Sequence, residues 1–397
     1  MRIAYVCTDP GIPVAGTKGA SVHVRAVLAE LVAGGHEVHL VTPRPGGTLG
    51  SDDGDPLRAV VVHELPAVPR ADRTKGPAER EHAARAVDAQ VAGVLDAVAP
   101  DLVYERYALW GRTATAWAAA RGVPSVLEVN APLPREQAAH RTLVDAAGAE
   151  AVARGALTDA GAVVCVSDGV AAWARTVSAR PERVHVIPNG VDTRRVRPAD
   201  RPVTPADGTE FVVGFVGTLK PWHGVDVLLR AFARLASGDP TWRLLLVGDG
   251  PTAADLAALA DRLGVADRVE TTGAVSQDEV AHHLRRMDAA CAPYPQTADS
   301  YFSPLKVYEY LAAGLPVVAS RTGQVPQALA DGGLGTLVTP GDEHELARAL
   351  AALRADVARR EHLRGAARAR AVERHTWTQV VERSLGLVLP AAGRSAA

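Results

Sequence analysis

Cysteine, lysine, aromatic side chains and long apolar runs are all scarce in this chain. The three cysteines, Cys7, Cys165 and Cys291, stand far apart with no C-x-x-C pair. That spacing excludes a disulfide framework and a cysteine-rich zinc site, and suits a reducing cytoplasm. No uninterrupted apolar run approaches 18 residues, and Ile3 to Cys7 is too short for a signal-peptide core, so no membrane-spanning segment is expected. An excess of one charge is also missing, since 43 basic and 45 acidic side chains leave a formal charge of −2. A nucleic-acid or anionic-membrane binder would carry a basic field. The absence of H-E-x-x-H, P-loop and G-x-S-x-G motifs removes support for metalloprotease, ATP-binding and serine-hydrolase readings. An anion bound here must be held by a few local groups.

The 397 residues, 47% of them apolar, are enough for two domains at roughly 100 to 200 residues each. Short Val/Ile/Leu runs alternate with longer Ala/Arg/Leu segments of helical period, the signature of βα units around a parallel sheet, and the alternation occurs twice. The first series predicts strands at 2–8, 37–42, 59–64, 101–105, 124–129, 162–167 and 183–187, with a Pro- and Arg-rich loop at 66–77. The stretch 188–210, with four prolines and no apolar periodicity, reads as a linker and hinge. A second series follows, with strands at 211–217, 243–247, 269–272, 289–292 and 316–319, then two or three helices broken near His375. The expected organisation is a domain at 1–190, a linker at 191–209, a second domain at 210–375, and a C-terminal helix at 376–397 packing back toward the first. Two doubly wound α/β domains would face a cleft at their strand ends, where such sheets bind ligands.

Local chemistry concentrates in loops after strands. In Ser300 to Gly314, Ser303 reads as an N-cap, Pro304 as the first helical residue and Gly314 as the stop. Lys306 then sits where a capping box places Glu, with its charge against the positive end of the helix dipole. A phosphate would compensate, and Glu309, one turn on, is placed to accept hydrogen bonds from sugar hydroxyls; the alternative is a solvated Lys306–Glu309 pair. Only four basic residues are lysines: Lys18, Lys75, Lys220 and Lys306. Lys220 lies in the loop Gly217 to Gly224, before a helix with Val225, Leu228, Leu229, Phe232 and Leu235 on one face. Trp222 and His223 beside it read either as site or as packing residues. The loop Gly11 to Gly19, with Ser21 as cap of a helix over 22–32, follows the first strand in the same way. The segment Gly248 to Ala254 fits G-x-G-x-x-A with Glu270 about 20 residues on, which leaves a nicotinamide-dependent enzyme as a competitor. Asp53-Gly54-Asp55 mimics D-x-D but reads as a turn, and His282, His283 and His375 read as surface or packing residues.

The segments GFVGTLKPWHG, LLLVGDGP, YFSPLKVYEYLAAGLPVVAS and VHVIPNGVD, with GASVHV after the first glycine-rich loop, resemble the family-4 retaining glycosyltransferases of GT-B fold. The resemblance covers most of the chain. It implies transfer of a sugar, with retention and usually without metal, from a nucleotide diphosphate donor to an acceptor held by the N-terminal domain, with a UDP-sugar favoured over a GDP-sugar. Glu309 matches the second glutamate of the family's E-x7-E motif and should bind the donor ribose, while Leu305 and Lys306 match its phosphate-contacting loop. The family's diphosphate-neutralising Arg and Lys fall near Thr218 and His223, so Lys220 is the expected charge stabiliser with His223 as a helper. Tyr301 replaces the motif's first glutamate, with Asp299 close by. Gly16, Gly217, Gly248, Gly250, Val275 and Ser303 complete the expected donor site. Asn130 and Glu128 stand where the N-domain histidine often follows a strand, and are the candidates for the reaction centre. Lys18, His23, Arg106 and Asn130 are the expected acceptor contacts, Arg106 being alternatively an ion pair with Glu105 or a neighbour. No metal ligand and no cofactor beyond the nucleotide sugar is expected. An epimerase acting on the same donor and a noncatalytic nucleotide-sugar binder are the alternatives. The Ala/Arg/Gly-rich composition suits a GC-rich bacterial gene, and hence a secondary-metabolite, small-molecule or envelope glycolipid acceptor.

Overall fold

The computed structural model describes residues 1–50, 54–69, 76–200, 210–296, 301 and 303–389. Asp53, Lys75 and Asp299 lie outside them. The chain divides into two compact units, Met1–Pro188 with the segment from Trp377 on, and Asn189–Thr376.

In the first unit the strands are β1 (Arg2–Val6), β2 (Glu37–Thr42), β3 (Val61–Glu64), β4 (Leu102–Arg106), β5 (Ser125–Val129), β6 (Ala162–Cys165) and β7 (Val184–Val186). They form one parallel sheet in the order β3-β2-β1-β4-β5-β6-β7. Its helices are α1 (Gly19–Ala33), α2 (Pro77–Val98), α3 (Thr113–Arg121), α4 (Leu133–His140), α5 (Ala146–Asp159) and α6 (Asp168–Val177). Helices cover both faces of such a sheet, so its central strands are buried throughout and read as continuous apolar runs. Residues Ile3 to Val6 of β1 and every residue of β4 and β5 are buried. Helix α1 begins at Gly19, two residues before the expected cap. Ser21 is already in the helix, and its hydroxyl donates to the carbonyl of Pro13 at 2.6 Å, fastening the preceding loop.

The second unit carries β8 (Phe211–Val216), β9 (Trp242–Val247), β10 (Val269–Thr271), β11 (Ala289–Ala292), β12 (Val317–Ser320) and β13 (Gly335–Val338), in the parallel order β10-β9-β8-β11-β12-β13. Strand β13 was not among the expected strands; it is four residues long and framed by Gly332-Gly333 and Pro340-Gly341. The helices are α7 (Val225–Gly238), α8 (Ala253–Arg262), α9 (Gln277–Leu284), α10 (Leu305–Ala312), α11 (Val325–Ala328), α12 (Glu343–Ala355) and α13 (Val357–Arg374); α14 (Trp377–Leu385) belongs to the first unit. Val225, Leu228, Leu229 and Phe232 of α7 are buried, as their helical spacing requires.

Residues 191–200, read from sequence as linker, are built onto the second unit. Val191 N donates to His375 O at 2.7 Å, Arg368 bonds the carbonyls of Thr193 and Val196, and Val196 is buried. Among the described residues no helix is long and apolar enough to cross a membrane.

Candidate functional site

The strand order of the second sheet reverses between β8 and β11. In an open α/β sheet the loops leaving two such strands diverge and make room for a ligand. Loop 217–224 leaves β8, and the segment after β11 leads into α10. Glycine is required where these backbones meet. Gly217 has φ +140°, and a Cβ there would lie 3.0 Å from the Nζ of Lys306. Gly248 has φ +135°, and a Cβ there would lie 2.2 Å from the carbonyl oxygen of Gly217. Leu219 N donates to Asp249 O, and Thr252 N to Leu219 O, so the G-x-G-x-x-A segment, Gly250 included, spends its close approach on loop 217–219. That contact removes the dinucleotide reading of the segment. Gly217→Ala is expected to destabilise the fold by about 1–3 kcal/mol and to push Lys306 aside. Thermal unfolding with and without nucleotide measures both effects.

Lys306 is the second residue of α10. The helix begins at Leu305 rather than Pro304, and Pro304, not Ser303, takes the cap position without any side-chain bond. Ser303 is engaged elsewhere: its Oγ accepts from Asn189 N at 3.3 Å, and its carbonyl from Asn189 Nδ2 at 3.4 Å. The Lys306 side chain is 8% exposed, and its Nζ has no hydrogen-bond partner among the described residues. The ammonium lies 4.0 Å from the Phe215 ring centre and 5.2 Å from that of Tyr294. Burial pushes its pKa down to about 7, against the pull of Glu309. Glu309, half-buried one turn on, is raised to about 7 by burial, with Arg195 and Lys306 opposing. A solvated Lys306–Glu309 pair is therefore ruled out. Tyr310 fixes this helix to the sheet: its hydroxyl accepts from Val216 N at 2.9 Å and donates to Cys291 O at 3.2 Å.

Gly217 and His223 lie beside this ammonium, and Thr218 and Lys220 of the same loop act on His223. The Nδ1 of His223 bonds the carbonyl of exposed Thr218. Burial, then Lys306, then Lys220 push the imidazole down to about 3. Lys220 is half-buried with its Nζ 4.7 Å over the ring of Trp222, which is 52% exposed. Ser303 is buried, Leu305, Val275 and Tyr301 are half-buried in the second unit, and Gly16 belongs to the first. Sequence reasoning missed Asn189, Arg195, Tyr294 and Tyr310. Asn189 stands inside the noted PNGVD stretch; the two tyrosines looked like ordinary core.

The first unit holds a separate polar cluster at its own reversal, between β1 and β4. Glu128 Oε1 accepts from Arg106 Nη1 at 3.0 Å and Asn130 Nδ2 at 2.8 Å, while Oε2 accepts from Tyr104 at 3.2 Å and lies 2.8 Å from His23 Nε2. Burial alone would raise its pKa, but His23, Arg106 and Asn130 hold it down to about 2. Arg106 thus pairs with Glu128 and not with Glu105. The reason is register: Arg106 and Glu128 are direct neighbours on β4 and β5, whereas consecutive strand residues point to opposite faces. Glu105 is fully buried, and burial, with Asp88 next, raises its pKa well above the carboxylate range. His23, on α1, meets the edge of Trp377 at 4.6 Å between centroids. Asn130 is half-buried and Lys18 exposed. Among the described residues no three His, Cys, Asp or Glu side chains are grouped to hold a metal ion.

Two family models match the chain: "Glycosyltransferase Family 4" over residues 17–195 and "Glycosyl transferases group 1" over 210–356. Relatives include a D-inositol 3-phosphate glycosyltransferase of Segniliparus rotundus, 31% identical over 83% of this chain and 75% of that protein. Another of the same name, from Stackebrandtia nassauensis, is 32% identical over 95% of this chain and 87% of its own. Among solved structures, sucrose-phosphate synthase from Thermosynechococcus elongatus superposes with a TM-score of 0.75 at 21% identity, covering 98% of both chains.

Proposed function

The chain belongs to the family-4 glycosyltransferases of GT-B fold, and from that premise we propose that it moves a hexosyl unit from a nucleotide diphosphate sugar, with retention and without a metal ion, to a small hydroxylated acceptor. One observation carries this reading: the buried ammonium of Lys306 at the start of α10, which has no hydrogen-bond partner among the described residues. A buried cation without a partner is unfavourable until an anion arrives, and helix N–H groups beside it add to the attraction. Lys220 and Lys306 then stabilise the charge that develops on the departing diphosphate, with Glu309 placed for the ribose. Asn130, half-exposed on Glu128, is the acceptor-side contact, with His23 and Arg106 on the same carboxylate and exposed Lys18 as a further acceptor contact. A covalent intermediate requires a carboxylate with a free oxygen. Both oxygens of Glu128 are engaged, which favours same-face attack with the leaving phosphate as base. The three buried free thiols suit a cytoplasmic enzyme. The relatives' names make D-inositol 3-phosphate the first acceptor to try, and the family resemblance makes a UDP-sugar the first donor.

Thermal shift against uridine, guanosine and thymidine diphosphate sugars, followed by acceptor screening by mass, tests the proposal. The expected product is an α-configured glycoside formed from an α-donor at an unchanged rate in EDTA. Donor turnover without acceptor would instead identify an epimerase. Binding without nucleoside diphosphate release would identify a noncatalytic binder.

A further inference from the structure

His223 occupies a position where the resemblance implies a permanent cation, and its surroundings give it a different chemistry. Its Nδ1 contacts the carbonyl oxygen of Thr218. A carbonyl oxygen only accepts, so Nδ1 carries the hydrogen and Nε2 keeps its lone pair. The ring is walled by Phe215 and Tyr294, each 6.0 Å away between centroids, and by Trp222 at 6.4 Å. Among the described residues the titratable groups facing it are Lys306 of α10 with Glu309 one turn behind, Lys220 of its own loop, and the Tyr294 phenol after β11. Burial and the two lysines hold the imidazole neutral in the empty site.

A nucleotide diphosphate reverses the lysines' part of that field. Its negative charges settle against Lys306, cancel the two lysines that repel a proton from Nε2, and give an imidazolium N–H an oxygen to bond. We propose that His223 takes up one proton at Nε2 when a nucleotide diphosphate binds, so that this site completes its positive charge only in the presence of its ligand. The proton comes from the buffer and returns to it when the nucleoside diphosphate leaves. An arginine at this position would stay charged without nucleotide, beside Lys306, and would repel it continuously. The inference rests on the diphosphate reading above and adds to it a coupling between binding and pH: nucleotide affinity gains up to about tenfold per unit of falling pH while one extra proton is bound.

Isothermal titration calorimetry of the full chain with UDP and with GDP, at pH 7.5 in two buffers of different ionisation enthalpy, counts the protons. The wild type is expected to take up more proton per nucleotide than His223→Gln, because any share from Lys306 or from the nucleotide is common to both. His223→Arg should bind without that extra uptake. Equal uptake by the wild type and His223→Gln overturns the inference while leaving the diphosphate site standing. Failure of the wild type to bind either nucleotide overturns both. Should His223→Gln not fold, ring-nitrogen NMR of the wild type decides directly: one imidazole must become imidazolium on saturation with nucleotide, and an unchanged set of ring signals refutes the coupling.

Discussion

Lys306→Ala is expected to lower kcat by roughly 10²- to 10³-fold, the range for removing one preorganised charge stabiliser, with the fold intact. The same side chain predicts an opposite effect on stability. Its ammonium is buried beside the rings of Phe215 and Tyr294, with no hydrogen-bond partner among the described residues, so Lys306→Met, which keeps the stem's packing over Phe215 and removes the charge, should stabilise the nucleotide-free protein by about 1–3 kcal/mol. The pH dependence follows from the lowered pKa. Below about 7 the lysine is charged in both the folded and unfolded states, and the folded state bears the full burial penalty. As pH rises from about 7 toward the ordinary lysine value of 10.5, the folded state sheds its proton first and the penalty fades. The advantage of Lys306→Met should therefore be largest at pH 6 and nearly gone at pH 10. Thermal unfolding across that range, with kcat measured at saturating donor, checks both halves. Turnover like the wild type's in Lys306→Ala would refute the assignment, as would a stability gain in Lys306→Met that ignores pH.

Glu128→Ala should unfold the first unit far more readily. Removing this carboxylate leaves Arg106 buried beside His23 without its paired counter-charge, and breaking one side of a buried pair is worth about 3–5 kcal/mol. For a unit of this size that is roughly 6–20 °C in Tm. Glu128→Gln keeps the shape and loses only the charge, so it should lie between. In the wild type this stabilisation is complete above the carboxyl's unfolded value of 4.5, and is lost as pH falls from there toward about 2. Acid titration of unfolding should show a slope in that window which Glu128→Gln lacks. Wild-type stability in Glu128→Ala would contradict the structural role assigned to the cluster.

What the sequence made legible was whatever depends on neighbours along the chain. The strands announced themselves because both faces of a parallel sheet are buried, so no polar alternation interrupts them: Phe211 to Val216 and Ala289 to Ala292 run apolar throughout. The cation at a helix start was visible in Ser300 to Gly314. Whatever depends on register or on distant partners was not. Whether Arg106 met Glu105 or Glu128 was decided by the alignment of β4 with β5. Ser303 failed as a cap because Asn189, 114 positions away, uses its hydroxyl. The burial of Lys306 depends on Phe215 and Tyr294 closing over it, and no spacing along the chain encodes that.

The placement of α14 in the first unit has a consequence for biosynthesis. Trp377, Val380, Val381 and Leu385 are buried there, Trp377 against His23, and Thr378 bonds Glu30. The whole of 189–376 is thus an insertion that the ribosome must deliver before the opening half of the polypeptide can close its own core. At about 5–20 residues per second, that is roughly 10 to 40 seconds during which the nascent N-terminal half waits with an uncovered apolar seam.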